Sequence, residues 1–560
     1  MNHALAGARG KHRAGPGTGR IAMWEGNTWP RVLAGSRGSV RFVLFEELVT
    51  LSLLVHIRRV KRLVVLVHLY LGVAMCALFV MWFATGIVLM YAPFPGFRQA
   101  TQFARMPVLD CTRCALTLAD ALGAMPARDT ASAVRLGMLL ERPAWRYLGL
   151  DRRWHVLFAD DRSALDAITP AHARRIAARW ARLDEADVRE SVLITEPDQW
   201  TVEAVFRHQL PLHRVEFADD ARTRVYVSSA GGEALLSTTR RERALAWLGA
   251  IPHWIYPRML RVRVATWTWT IISVSALGLV MSLAGLTIGI WQFRFRRKVT
   301  ASGRVLARSP YRTGWMRWHQ YLGLLFGACT FTWLFSGMLS VDPFEWSPGT
   351  DPSPAERLAF AGGALDGARF QLQPAAAWRV PRDIGTRELQ PVLVAGRPFW
   401  VAYEDATHTR LVAADTTVPH AIESLEPSLL AQATTTILGS ARMSTDVLRE
   451  PDDYFYSTGE AARTFPVLRV RYDDPAHSAF YVDPRTVTIV MKQVTRSRLE
   501  RWLYSGLHDL DFRVLTVRRP FWDIVVIVLS LGGLALAATG LVTAWRWTAH
   551  WLGIPAGRRR

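Results

Sequence analysis

The sequence predicts a polytopic α-helical membrane protein, internally duplicated, with four transmembrane helices and two α+β extramembrane domains. Three observations carry that expectation. Uncharged apolar runs at about 63–91, 264–291, 318–341 and 524–545 are each long enough for the ~20 residues that cross a bilayer. Two polar segments, each the size of an ordinary domain, lie between them. The stretch 62–91 also recurs at 313–342 without a gap. His68 falls on His319, Tyr70 on Tyr321, Gly72 on Gly323, Trp82 on Trp333 and Gly86 on Gly337. A self-match at one fixed offset marks a duplication.

Taken in order, residues 1–62 read as a basic cytoplasmic tail, Gly-, Ala- and Arg-rich and disordered over 1–40. The apolar run 40–55 is short and interrupted by Glu46 and Glu47, which predicts an interfacial helix rather than a fifth span. The first span is 63–91, and the prolines of YAPFPGF end it. An outer domain occupies 92–263. Within it 169–183 has helical spacing, with Thr169 as N-cap and Pro170 at the first helical position. The stretch 200–233 alternates and turns like a β-meander. The second span is 264–291, followed by a connector at 292–317 and a third span at 318–341. A second outer domain fills 342–519, the fourth span 520–545, and a short tail 546–560.

The second halves of the two polar segments also match, now at an offset of 255. Pro211 meets Pro466, Arg214 meets Arg469 and Tyr226 meets Tyr481. Approaching the even-numbered spans, Trp247 meets Trp502, His253 meets His508 and Trp267 meets Trp522; further on, Gly278 meets Gly533 and Gly285 meets Gly540. The repeated unit is therefore span, outer domain, span. Two such units in one chain are expected to pack about a pseudo-two-fold axis along the membrane normal.

The net charge is +21. Residues 1–62 carry +8, the connector +8 and the tail after Trp545 +4, so nearly all of the excess lies on one side of a four-span chain. That is the positive-inside pattern; it places both termini and the connector in the cytoplasm and the two large domains outside. The same localisation of charge argues against a nucleic-acid partner, since no basic domain remains. Cys76 and Cys329 fall inside spans. Cys111 and Cys114 form DCTRC on the outward side, where a small structural disulfide, two free thiols and a redox-active pair are all open.

The outer domains resemble PepSY domains, through LPLHRV with VYVSSAGGE and FPVLRV with FYVDPRT. The spans resemble PepSY-associated transmembrane helices, through HLYLGVAM, WHQYLGLL, LGLVMSLAGLTIGIW and LGGLALAATGLVTAWRW. The resemblance covers roughly 60–550. It implies a bacterial inner-membrane protein tied to iron uptake, similar to siderophore-iron reductases that carry b-type haem in their spans. Other members of the family have no assigned activity, and isolated PepSY domains are linked to peptidase inhibition. In the first domain SSAGGE replaces the usual DP-x-TG, a departure that weakens any function carried by that loop.

Four histidines carry the candidate chemistry. His68 and His319 lie just inside the cytoplasmic ends of spans one and three; His253 and His508 lie just before the outer ends of spans two and four. An ionisable residue in or at a span is costly, and neutral imidazole is a good haem-iron ligand. The bland alternative is a hydrogen bond to a neighbouring helix. Recurrence as two matched pairs at two depths favours ligation, and predicts two bis-His haems b: His68 with His319, and His253 with His508. Cross-pairs such as His68 with His508 are the competing arrangement. Gly72, Gly86, Gly323 and Gly337 are expected to allow close approach of helices or a macrocycle. His155, His172, His208, His213, His408, His420 and His477 do not pair across the repeat and read as solvated or structural. No CxxCH is present, which excludes covalent c-type haem, and no HExxH, P-loop or Rossmann fingerprint appears.

Two function classes follow. One is haem-dependent transmembrane electron transfer to a substrate, with ferric siderophore as the candidate and a quinol or separate reductase as donor. The other is a non-catalytic membrane scaffold whose PepSY-like domains bind a partner protein or peptidase.

Overall fold

The computed structural model describes residues 37–124, 133–149, 152–296, 300, 302–303, 305, 307–311, 314–439, 443–457 and 463–554, with side chains from residue 52 onward. The tail expected to be disordered lies outside these residues up to position 36, as does the end of the chain from 555. The chain divides into two units, Met1–Leu63 and Val64–Arg560. The first unit contributes the beginning of a long helix.

Among the described residues, four helices are long and apolar enough to cross a membrane. They are α1 (Arg37–Leu89), α2 (Val264–Gln292), α3 (Trp315–Leu339) and α4 (Phe521–Trp551). In α1 the apolar window begins at Ser52. The run 40–55, expected as a separate interfacial helix, is continuous with the first span: no Pro or Gly interrupts residues 40–71, so nothing in the backbone forces a break. The other three helices lie within three residues of the expected spans at their starts. Helix α4 runs six residues past its expected end, to Trp551.

The four helices pack through glycine. A Cβ on Gly278 of α2 would come within 3.1 Å of Phe79 on α1 and 3.2 Å of Leu334 on α3. Gly533 of α4 is pressed against Phe83 of α1, and Gly532 against Phe326 of α3. Apolar chain against apolar lipid gives no hydrophobic drive for helix association, so close backbone approach through small residues supplies the packing. Phe83 and Leu334 are counterparts at the 251 offset, as Gly278 and Gly533 are at 255. The Gly278–Leu334 contact therefore has its image in Gly533–Phe83.

Among the described residues the polar segments form fifteen strands in three antiparallel sheets. The first segment supplies β1 (Val134–Leu139), β2 (Arg142–Leu148), β3 (Trp154–Phe158), β4 (Val188–Ile194), β5 (Leu212–Phe217), β6 (Arg224–Ser228) and β7 (Ala234–Thr238). The second supplies β8 (Glu388–Val394), β9 (Arg397–Tyr403), β10 (Thr409–Ala413), β11 (Ala421–Ile422), β12 (Met443–Leu448), β13 (Val467–Tyr472), β14 (Ala479–Asp483) and β15 (Thr488–Gln493). Sheets β4-β5-β6-β7 and β12-β13-β14-β15 are the repeated meander, in the same strand order. The meander begins earlier than the expected 200, with β4 at Val188, and residues Ala204–Arg207 inside the expected stretch form a helical turn. The expected helix is present as Pro170–Ala181, with the Thr169 hydroxyl accepting from the His172 amide at 3.3 Å.

The remaining strands do not stay in separate domains. They form one seven-stranded sheet in the order β11-β10-β9-β8-β1-β2-β3. Its central junction is β1 against β8, with Leu136 opposite Leu389 and Gly137 opposite Glu388. These two strands are counterparts in the repeat. Antiparallel pairing of a strand with its own counterpart is the contact a two-fold relation produces. Trp145 on β2 and Trp400 on β9, also counterparts, are fully buried with ring centroids 6.1 Å apart. Cys111 and Cys114 are joined as a disulfide, and Cys111 is buried in the same core.

The two tryptophans differ in one respect. Trp400 Nε1 donates to the Leu372 carbonyl at 2.9 Å, whereas Trp145 Nε1 is buried without a partner. Replacing Trp400 by Phe strands a buried carbonyl, while the same change at Trp145 removes an unsatisfied donor. We expect Trp400→Phe to destabilise by about 1 kcal/mol or more beyond Trp145→Phe. Thermal unfolding of the two variants in the same detergent checks the order.

Candidate functional site

The four histidines come together as two pairs. His68 on α1 and His319 on α3 have ring centroids 6.1 Å apart at an interplanar angle of 37°. His253, at the end of the helical turn Ala250–His253, and His508, just after the turn Trp502–Gly506, have centroids 6.3 Å apart at 67°. Each histidine faces its own repeat counterpart, and no cross-pair forms.

Every ring is seated the same way. His68 Nδ1 bonds to the Met281 carbonyl at 3.0 Å and His253 Nδ1 to the Trp82 carbonyl at 3.1 Å. His319 Nδ1 lies 3.2 Å from the Thr539 hydroxyl and His508 Nδ1 3.0 Å from the Ser336 hydroxyl. Those hydroxyls already donate to carbonyls on their own helices, Thr539 to Leu536 and Ser336 to Thr332. Each is left to accept, so Nδ1 is the donor at all four rings. The lone pair then resides on Nε2, which makes no hydrogen bond among the described residues. A donor bond from one ring nitrogen is what sets the tautomer and orientation of a ligating histidine.

A glycine lies under each ring. A Cβ at Gly285 would meet His68 Cε1 at 2.5 Å, one at Gly86 would meet His253 Cε1 at 3.2 Å, and those at Gly337 and Gly540 would meet His508 and His319 at 3.3 Å. Within a unit the arrangement is reciprocal. The first helix supplies a histidine to a glycine on the second, and a glycine to the histidine that precedes the second. At the other two glycines no helix approaches closely: Gly72 faces open space and Gly323 makes an ordinary 3.7 Å contact with Leu536. Eighteen residues separate His68 from Gly86 on α1, a rise of about 27 Å. The two pairs thus sit near opposite ends of helices long enough to span a ~30 Å hydrocarbon core.

His253 and His508 border a cavity of about 600 Å³ among the four helices. Its walls are largely aromatic and apolar, including Phe79, Trp82, Phe83, Trp333 and Tyr504, with Ser275 and Ser530 as matched hydroxyls. Volume and lining fall within the ~300–1,000 Å³, mainly apolar range of cofactor sites. Burial holds both imidazoles down at about 4; the neighbouring His508 adds to the shift at His253, and the bonds to the Trp82 and Trp333 carbonyls oppose it. Both are therefore neutral at pH 7.

Sequence reasoning did not single out the partners of the rings. Thr85 and Ser336 are counterparts that each precede the seating glycine, so a hydroxyl–glycine dipeptide at the 251 offset was the available signal. Asp509 was also missed. It lines the cavity where its counterpart is Trp254, and burial pushes its carboxyl up to about 6, with Asp511 adding to the shift and Arg501 opposing it. Among the remaining histidines, His213 donates through Nε2 to the Ile168 carbonyl at 2.8 Å and His408 pairs with Asp405 at 2.9 Å, both structural contacts.

No protein-family model matches the chain, and no curated protein matches it.

The glycine seats differ in tightness, which makes them separable. Gly285→Ala forces the His68 ring to move, while Gly540→Ala needs a shift of a few tenths of an ångström at His319. We expect the first to destabilise by about 1–3 kcal/mol and the second by less than about 1 kcal/mol. Thermal unfolding of the two alanine variants in one detergent reads the difference.

Proposed function

We propose that the protein carries two b-type haems across a bacterial cytoplasmic membrane and transfers electrons to a substrate at the outer face. The observation that supports this reading is the meeting of each histidine with its own repeat counterpart, Nδ1 engaged and Nε2 left as the ligating atom. Two imidazoles each ~2 Å from a shared metal through one ring nitrogen have centroids about 6 Å apart, which fits both pairs. Each pair offers two imidazoles, a side chain that ligates haem iron, and would hold one haem between them.

His68 and His319 would hold one haem, His253 and His508 the other. The group supplies one-electron chemistry when bound. The chain's own residues orient the imidazoles through Met281, Trp82, Thr539 and Ser336, and the aromatic walls keep water from the outer pair. Both termini and the connector at 292–317 are assigned to the cytoplasm on their positive charge, and the three sheets to the outside. The PepSY-like character of the sheet segments extends the reading to ferric siderophore as substrate, reduced from Fe(III) to Fe(II) by one electron. The donor is then a membrane quinol or a separate reductase on the cytoplasmic side.

The test is haem stoichiometry and spectra in four single variants. We expect the parent to bind two haems, His68→Ala and His319→Ala to lose the same one, and His253→Ala and His508→Ala to lose the other. A parent without haem, or four variants that each bind as much as the parent, would leave the non-catalytic scaffold as the better description.

A further inference from the structure

The two repeats differ at one place in the sheet region. Between the helix Gln99–Arg105, the helix Pro170–Ala181 and the β1–β2 turn, the first repeat holds a pocket of about 180 Å³. Four arginines line it (Arg105, Arg146, Arg175 and Arg179), against two glutamates, Glu141 and Glu233. At the 255 offset the positions of Arg105, Arg146 and Arg175 are Phe360, Val401 and Leu430. Those three are buried together in one hydrophobic cluster. The second repeat buries these three side chains, whereas the first sets guanidinium groups around a space.

Arg146 makes the exchange costly. It is 2% exposed. Its Nε bonds the Gly231 carbonyl at 3.3 Å and its Nη2 the Met138 carbonyl at 3.1 Å, but Nη1 is buried without a partner among the described residues. The nearest carboxylate, Glu233, stands 3.4 Å from Nε and is already held by Arg135 at 2.6 Å. A buried charge short of a partner is strongly destabilising unless something completes it. Glu233 belongs to the loop SSAGGE, and Gly232 in that loop has φ +66° with no room for a Cβ beside Leu139. The departure from the usual loop thus helps to build the pocket.

We propose that this pocket binds a small organic dicarboxylate. The lining carries two more positive than negative charges, and arginine's planar fork matches carboxylate in a two-point bond. Met106, Met138, Leu139, Ile176 and Trp180 supply an apolar wall suited to a carbon skeleton. The volume lies below the ~300–1,000 Å³ usual for larger ligands, which restricts the occupant to a few carbon atoms. The site shares no lining residue with the histidine cavity and stands independently of the haem reading.

Calorimetry on the purified full chain in detergent, at constant ionic strength, tests the site with succinate and with inorganic phosphate. Arg175 and Arg179 are exposed, so the double variant R175L/R179L keeps the fold; an unfolding temperature equal to the parent's without ligand verifies this. Arg174→Leu, exposed on the same helix but off the pocket, is the control. We expect saturable one-site binding of succinate, weaker binding of phosphate, a loss of about tenfold or more in R175L/R179L, and no change in Arg174→Leu. Absence of saturable succinate binding, phosphate binding as tight as succinate, or equal losses in the control and the double variant would each overturn the proposal.

Discussion

The antiparallel ladder between β1 and β8 sets where the two repeats meet. A strand paired with its own counterpart leaves one way to lay the second unit against the first. Trp145 then meets Trp400 on the neighbouring strands, and the histidine pairs meet among the helices. Three kinds of counterpart contact, at three levels of the molecule, follow from one relation between the repeats. Had the sheets remained in separate domains, nothing outside the helices would have held the histidines in register. The helix contacts obey the same relation, since Gly278 with Leu334 is the image of Gly533 with Phe83.

Burying four imidazoles in an apolar bundle imposes a second condition. Each polar ring needs a partner, and the partner must not consume the nitrogen left for other use. The structure meets this by bonding Nδ1 to a carbonyl or to a hydroxyl whose own proton is already committed. The seating glycines bring the ring edge against the backbone of the facing helix, where those acceptors lie. Tautomer, orientation and depth of each ring are therefore consequences of helix packing.

Duplication also exposes where the halves have parted. Where the first unit has Trp254 the second has Asp509, which places a carboxyl at the cavity wall. In the first unit arginines have replaced a closed hydrophobic cluster. Such positions are visible only once the offset is known, because each half alone reads as an ordinary amphipathic sequence.

The residues by themselves determined the four apolar helices, the repeat and the meander sheets, and singled out His68, His319, His253 and His508 as two matched pairs, while leaving cross-pairs open. These are properties of periodicity and of a fixed offset, which a linear chain displays directly. The continuity of α1 through 40–55 was less visible, because two glutamates in an apolar run say nothing about whether the backbone bends. Only the tertiary structure decided that the polar segments share a seven-stranded sheet, that Gly285 and Gly540 receive the rings of His68 and His319, and that Arg146 Nη1 has no partner among the described residues. Strand pairing across more than two hundred residues, the rotation of a helix about its axis and the completeness of a hydrogen-bond set depend on what faces a residue in space, and nothing in its local sequence carries that.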